Sequence, residues 1–286
     1  MRKSIAFAAG LVLLVAIALV MGTGCAKKPA PPPTGQAPPA APPPKEKPPA
    51  AKTPTAAPAE KGAKLTILCG GSFRPPTEEL AKKFEEKTGV KIELSFGQSE
   101  DLLPQIKIGK EGDLFVSHDP YRDYVKDAGA LLDAVQVGYV APVLVVRKGN
   151  PANVHSIEDL AKPGVKVALP DPKYSTCGQM VEKLLEKKGI KDAVFKNAGG
   201  ALFRSHSEIG NALKIGKRDA GIMWNGTAHN FLDAIEIIKT PYEYDTEVRV
   251  WIIGLNYSKH KDLVKQFLDF AREEGKKIFA DYGYVK

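Results

Sequence analysis

The chain has 286 residues, 43% of them hydrophobic, and a formal net charge of +8 at pH 7; that length suffices for one large or two ordinary domains with real cores. Arg2 and Lys3 carry two of the positive charges, and six Lys against two Glu between Cys25 and Lys61 carry four more, which leaves about +2 from Gly62 onward. The folding part is therefore near neutral, with no Lys/Arg stripe for a nucleic-acid reader, and three cysteines are too few and wrongly spaced for a disulfide scaffold or a zinc site.

In chain order, Arg2-Lys3 is a basic start, residues 5–21 are continuously apolar, and Gly22-Thr23-Gly24 supplies small residues before Cys25. This pattern predicts a lipoprotein-type export signal over 1–24, with Cys25 as the lipidated residue. The alternative is an uncleaved anchor, since the apolar run is nearly long enough to span a bilayer. Either reading places the rest of the chain outside the cytoplasm and tethered to a membrane. Residues 25–62 are rich in Pro, Ala and Lys and cannot bury a core; they read as an extended linker.

Strands and helices then alternate. A strand is predicted over 65–69 and ends at Gly70-Gly71-Ser72, with an amphipathic helix over 78–87. Val90, Ile92, Leu94 and Phe96 alternate as a second strand, followed by the turn Gly97-Gln98-Ser99 and a helix over 100–107. A short strand over 113–116 leads to Asp119, a candidate N-cap, and Pro120 at the first helical position. Residues 137–147 form a long apolar stretch broken by Pro142. The pattern restarts after Lys148-Gly149-Asn150-Pro151. A short helix begins at Ser156, a strand covers 165–169, the turn 171–178 follows, and a helix runs over 179–188. A weak strand is expected over 193–196, and a helix capped by Ser207 runs to 213. Strands over 220–224, 235–239 and 248–255 precede a terminal helix over 261–279.

The alternation predicts an α/β fold with mostly parallel sheets, and the restart predicts two lobes. Open α/β sheets bind ligands at the carboxyl ends of their strands. The turns after the strands ending near Leu68, Phe96, Leu169 and Trp224 are therefore the candidate ligand contacts. Strand, Gly-rich turn and helix start together favour an anion, because free N–H groups point outward there. Ser72 and Ser99 occupy equivalent places in consecutive units and serve as turn serines or as donors. Ser175 and Thr176 are the matching pair in the second lobe. Trp224 is core or an indole donor, which suits an anion bound without a countercharge. Arg74 is a solvated loop residue or an anion partner, and His118 a gate or a metal ligand. Cys69 and Cys177, read at strand ends beside the cleft, are buried free thiols or a bridge across it. No H-E-x-x-H, G-x-x-x-x-G-K-[ST], C-x-x-C or G-x-S-x-G motif occurs, so no enzyme is expected; a base beside Ser72 or Ser99 would be the sign of a hydrolase.

Several stretches in order resemble one family. Gly70-Gly71-Ser72-Phe73-Arg74-Pro75-Pro76 with Glu79-Leu80-Ala81-Lys82-Lys83-Phe84-Glu85, then Gly97-Gln98-Ser99-Glu100-Asp101-Leu102-Leu103-Pro104-Gln105-Ile106, then Gly112-Asp113-Leu114-Phe115, Lys148-Gly149-Asn150-Pro151 and Asp219-Ala220-Gly221-Ile222-Met223-Trp224 are similar to periplasmic molybdate/tungstate-binding proteins. The resemblance implies a type II periplasmic-binding-protein-like fold: two mixed, mostly parallel sheets flanked by helices, with a ligand cleft between them. Lobe 1 would comprise 63–141 plus 241–286, and lobe 2 would comprise 142–240. It implies a monomeric solute-binding lipoprotein of an ABC importer, handing a tetrahedral oxyanion to a permease. It implies no cofactor, and no metal other than one inside the oxyanion. By position, Ser72 and Ser99 match the family's two serine ligands, Val140 and Ser175 match backbone contacts, and Trp224 stands where the molybdate group usually has a tyrosine. Another oxyanion, a small carboxylate or a metal cation is the alternative ligand.

Overall fold

The computed structural model describes residues 64–200 and 202–286. The export signal, Cys25 and the linker lie outside the described residues. In chain order the elements are β1 (Lys64–Gly70), α1 (Arg74–Thr88), β2 (Lys91–Gly97), α2 (Ser99–Pro104), β3 (Leu114–His118), α3 (Tyr121–Asp127), β4 (Leu131–Val140), β5 (Pro142–Arg147), β6 (Val167–Pro170), α4 (Thr176–Lys187), α5 (Lys191–Ala198), β7 (Leu202–Phe203), α6 (His206–Lys214), β8 (Ala220–Trp224), α7 (Asn225–His229), β9 (Ile235–Ile238), β10 (Val248–Leu255), α8 (Lys261–Phe270) and α9 (Lys276–Asp281).

Two five-stranded sheets result, ordered β2-β1-β3-β10-β4 and β7-β6-β8-β5-β9. They have the same plan. The second strand, β1 or β6, pairs in parallel with both neighbours, and the fourth, β10 or β5, pairs antiparallel on both of its sides. Both sheets are mixed as expected, with parallel pairings half of the total in each. The antiparallel strands arise where the chain changes sheets. It leaves the first through Ala141, between β4 and β5, and returns between β9 and β10. Each sheet is buried by helices through alternating or continuous apolar side chains such as Leu65, Ile67, Val167 and Leu169.

Local chemistry departs from the sequence expectation at several points. Helix α1 starts at Arg74, not residue 78, with prolines in its first turn, where a missing N–H costs nothing. Residues 193–196 are helical, within α5; Val194 and Ala198 are one turn apart and both buried. The second-lobe strand at this point is the two-residue β7 instead. Ser207 does not cap α6; Ser205 does, in a capping box with Glu208. Asp119 is not an N-cap either. Its carboxylate accepts from the Arg249 backbone N–H at 3.1 Å, from Arg249 Nε at 2.7 Å and from Trp251 Nε1 at 2.8 Å, so β10 claims it. Cys177 lies in the first turn of α4, not at a strand end.

Candidate ligand site between the two sheets

Six turns follow the parallel strands β1, β2, β3, β6, β7 and β8, and they converge on one cavity. Its lining is Gly70 to Phe73 after β1, Gln98 to Glu100 after β2 and His118 at the end of β3. From the second sheet come Tyr174 to Thr176 after β6, Arg204 and His206 after β7, and Trp224 at the end of β8. The cavity is small, about 20 Å³ of space that the centre of a water molecule can enter, far below the ~300 Å³ at which drug-sized ligands begin to fit. Its chemistry therefore suits a ligand of a few atoms.

Most donors here are neutral. Ser99 is buried, and its Oγ accepts from Ser117 Oγ at 2.8 Å. A hydroxyl carries one proton and two lone pairs, so the Ser99 O–H stays available to the cavity. A Cβ on Gly70 would lie 2.9 Å from Ser99 Oγ and 3.1 Å from the Phe73 ring, so a larger residue there would displace the Ser99 hydroxyl. Ser175 is the N-cap of α4, with its Oγ accepting from the Gly178 N–H at 3.3 Å, which likewise leaves its own proton free. The Ser72 carbonyl accepts from the Tyr284 hydroxyl of the C-terminal tail, which fixes the β1 turn from behind.

Trp224 is buried and packs against two histidines, with ring centroids 5.6 Å from His118 and 5.5 Å from His206. His118 Nδ1 donates to the Asp119 carbonyl at 2.6 Å, and burial pulls its pKa below the usual value. His206 Nδ1 accepts from the Trp224 backbone N–H at 3.4 Å, and burial, reinforced by His118, lowers its pKa to about 3. Both rings are therefore neutral at pH 7. The lining holds one carboxyl group, Glu100, and one guanidinium cation, Arg204. Arg204 stacks 4.4 Å over the Tyr174 ring and reaches Asp101, in helix α2 beside the first sheet, at 3.5 Å.

Of the residues expected from sequence, Ser72, Ser99, Ser175 and Trp224 meet in this cavity, and Thr176 and His118 join them. Val140 ends β4 and is buried outside the lining. Arg74 faces away, paired with Glu78 at 2.8 Å and stacked on Phe96. Cys69 and Cys177 are free and buried; burial pushes the Cys69 thiol up to about 12 and the Cys177 thiol up as well. Sequence reasoning missed Arg204 and His206. The Ser205-x-x-Glu208 spacing is the signal that places a helix start, and hence a strand-to-helix turn, at this point. Among the described residues no group of three or more His, Cys, Asp or Glu is arranged to hold a metal ion.

The family model for bacterial extracellular solute-binding proteins matches residues 65–285, and the chain belongs to that family of binding proteins. The molybdate-binding protein of Mycobacterium bovis is 24% identical over 237 residues, covering 81% of this chain and 88% of the relative. The periplasmic molybdate-binding protein of Azotobacter vinelandii shares the fold with a TM-score of 0.63 at 19% identity, covering 78% of this chain and 99% of that one. A sulfate-binding protein of Mycobacterium tuberculosis shares it with a TM-score of 0.62 at 20% identity, covering 78% and 86%.

Proposed function

We propose that this solute-binding protein captures a small tetrahedral oxyanion, molybdate or tungstate first, between its two sheets and delivers it to an ABC-importer permease. The observation that carries this reading is the convergence of the Ser72, Ser99 and Ser175 turns and Trp224 on one small cavity, with the Ser99 and Ser175 protons unspent. A buried anion loses hydration that only several hydrogen bonds offset, each worth ~1.5–3 kcal/mol when the acceptor is charged. Uncharged hydroxyls supply such bonds without adding a second buried charge. The named relatives that bind molybdate and sulfate support the ligand class. The export signal and Cys25 support an extracytoplasmic, lipid-anchored protein, with the Pro-rich stretch 25–62 as its tether.

The test is thermal unfolding with molybdate, tungstate, sulfate, phosphate, a small carboxylate or ferric ion. A ligand at a hundred times its Kd adds ~2.7 kcal/mol of stability. A melting shift with molybdate and tungstate is expected, with sulfate weaker on cavity size. A shift confined to the carboxylate or ferric ion overturns the oxyanion assignment.

A further inference from the structure

We infer that His206 contacts the bound ligand, donating a neutral Nε2–H hydrogen bond from the β7–α6 turn. The inference rests on the oxyanion reading above and adds a donor that the serine turns do not include. The tautomer follows from geometry. The Trp224 backbone N–H donates to His206 Nδ1 at 3.4 Å, and a ring nitrogen that accepts carries no proton. The proton of the neutral ring therefore sits on Nε2. The ring is buried and lines the cavity.

Three further contacts fix its place. The Ser205 Oγ accepts from the Glu208 N–H at 3.2 Å, and the Glu208 carboxylate accepts from the Ser205 N–H at 3.3 Å, so the residue before His206 is clamped. The indole of Trp224 packs against the imidazole at a 37° tilt. A donor held in this way needs little reordering when a ligand arrives, and preorganisation of that kind converts directly into affinity. His118, edge-on to Trp224, cannot substitute. Its Nδ1 proton is spent on the Asp119 carbonyl, so its neutral Nε2 offers only a lone pair.

The charged and titratable neighbours are His118, Glu100, Tyr174 and Arg204 on the lining, with Asp101 beyond Arg204. Arg204, two residues before His206 in the same turn, supplies the single cation of the lining and is shared with Asp101 across the cleft. The turn thus offers one neutral donor and one cation, the latter paired with Asp101 and stacked on Tyr174.

The experiment titrates molybdate by calorimetry into the full chain, wild type, His206→Phe and His206→Gln, with the ligand-free melting temperature of each. His206→Phe is expected to bind about ten- to a hundredfold more weakly, the range for one hydrogen bond to a charged acceptor. His206→Gln, which keeps an N–H donor, should recover part of the loss; a purely structural role predicts no such rescue. In the wild type, imidazole ¹⁵N NMR should show the Nε2–H tautomer and a shift of that resonance on adding molybdate. This readout decides the matter even if a variant fails to fold. If wild type binds but neither the resonance nor the His206→Phe affinity moves, the inference is overturned and the oxyanion reading stands. If molybdate, tungstate, sulfate and phosphate all fail to bind wild type, both fall.

Discussion

Acidification tests the buried histidines without any ligand. His206 titrates near 6.5 when unfolded and near 3 when folded, with burial as the main cause and His118 as the second. Its folded pKa is depressed, so the stability it contributes is fully present above pH 6.5 and is lost as the pH falls from there towards 3. At pH 5 the folded ring is still neutral while the unfolded one is almost fully charged. At 1.36 kcal/mol per unit, the loss between pH 7.5 and 5 is about 2 kcal/mol for this one residue. Because pH 5 lies well above the folded pKa, that figure depends almost entirely on the unfolded value. His118 is lowered in the same direction and adds to it. Carboxylates held low by partners, such as Glu158 beside Lys188 and Asp159 under the His155 N–H, begin to lose their contribution only near 4.5 and 3.8, so the window above pH 5 belongs to histidine. Urea unfolding at pH 7.5, 6.5, 5.8 and 5.0 measures the loss. In a melting experiment it corresponds to ~4–8 °C for a domain of this size. His206→Gln should remove about 2 kcal/mol of the pH dependence. Stability that stays flat across this window, or an equal fall in His206→Gln, refutes the account.

Two other perturbations follow from packing and burial. A Cβ at Gly226 would collide with the ring of Tyr284, which is buried and tied by its hydroxyl to the Ser72 carbonyl. Gly226→Ala should cost ~1–3 kcal/mol and lower the melting temperature accordingly, whereas an unchanged melting temperature would show that the tail moves aside freely. Cys69 and Cys177 should resist a thiol reagent at pH 8 in the native protein and react once denatured, because burial raises both pKa values; rapid native labelling of either would contradict the buried placement.

The α/β class was legible because strand and helix periods differ and alternate cleanly from residue 64 on. Strand direction was less so. Half the pairings in each sheet are antiparallel because β5 and β10 follow the two crossings of the chain, and nothing in the composition of Pro142–Arg147 or Val248–Leu255 marks that. β7 was missed because two residues, paired only through Leu169↔Leu202 and Pro170↔Phe203, carry no period at all. The apolar run near Val194 then read as the missing strand, since a short apolar segment fits either period. Asp119 looked like a cap from local context. Its actual partners lie 130 and 132 positions away, and no local rule reaches them.

The cavity was hidden for a related reason: each of the six turns contributes only one to four residues, and none is a motif alone. What organises them is the repeated plan of the sheets. β2 and β7 hold the same place in their sheets, and the turns after them meet through Asp101 and Arg204. β3 and β8 also correspond, and the residues that end them, His118 and Trp224, are in contact. Equivalent turns therefore face each other, and finding one on the first sheet predicts its counterpart on the second. The arrangement has an energetic consequence. A small ligand bound by Ser72 and Ser99 on one side and by Ser175 and Trp224 on the other is itself the bridge between sheets. Each hydrogen bond it makes adds to the few direct contacts across the cleft, such as the exposed Arg204–Asp101 pair, worth only ~0.2–1 kcal/mol. The ligand then favours any arrangement that brings these turns together, by the margin with which it prefers that arrangement.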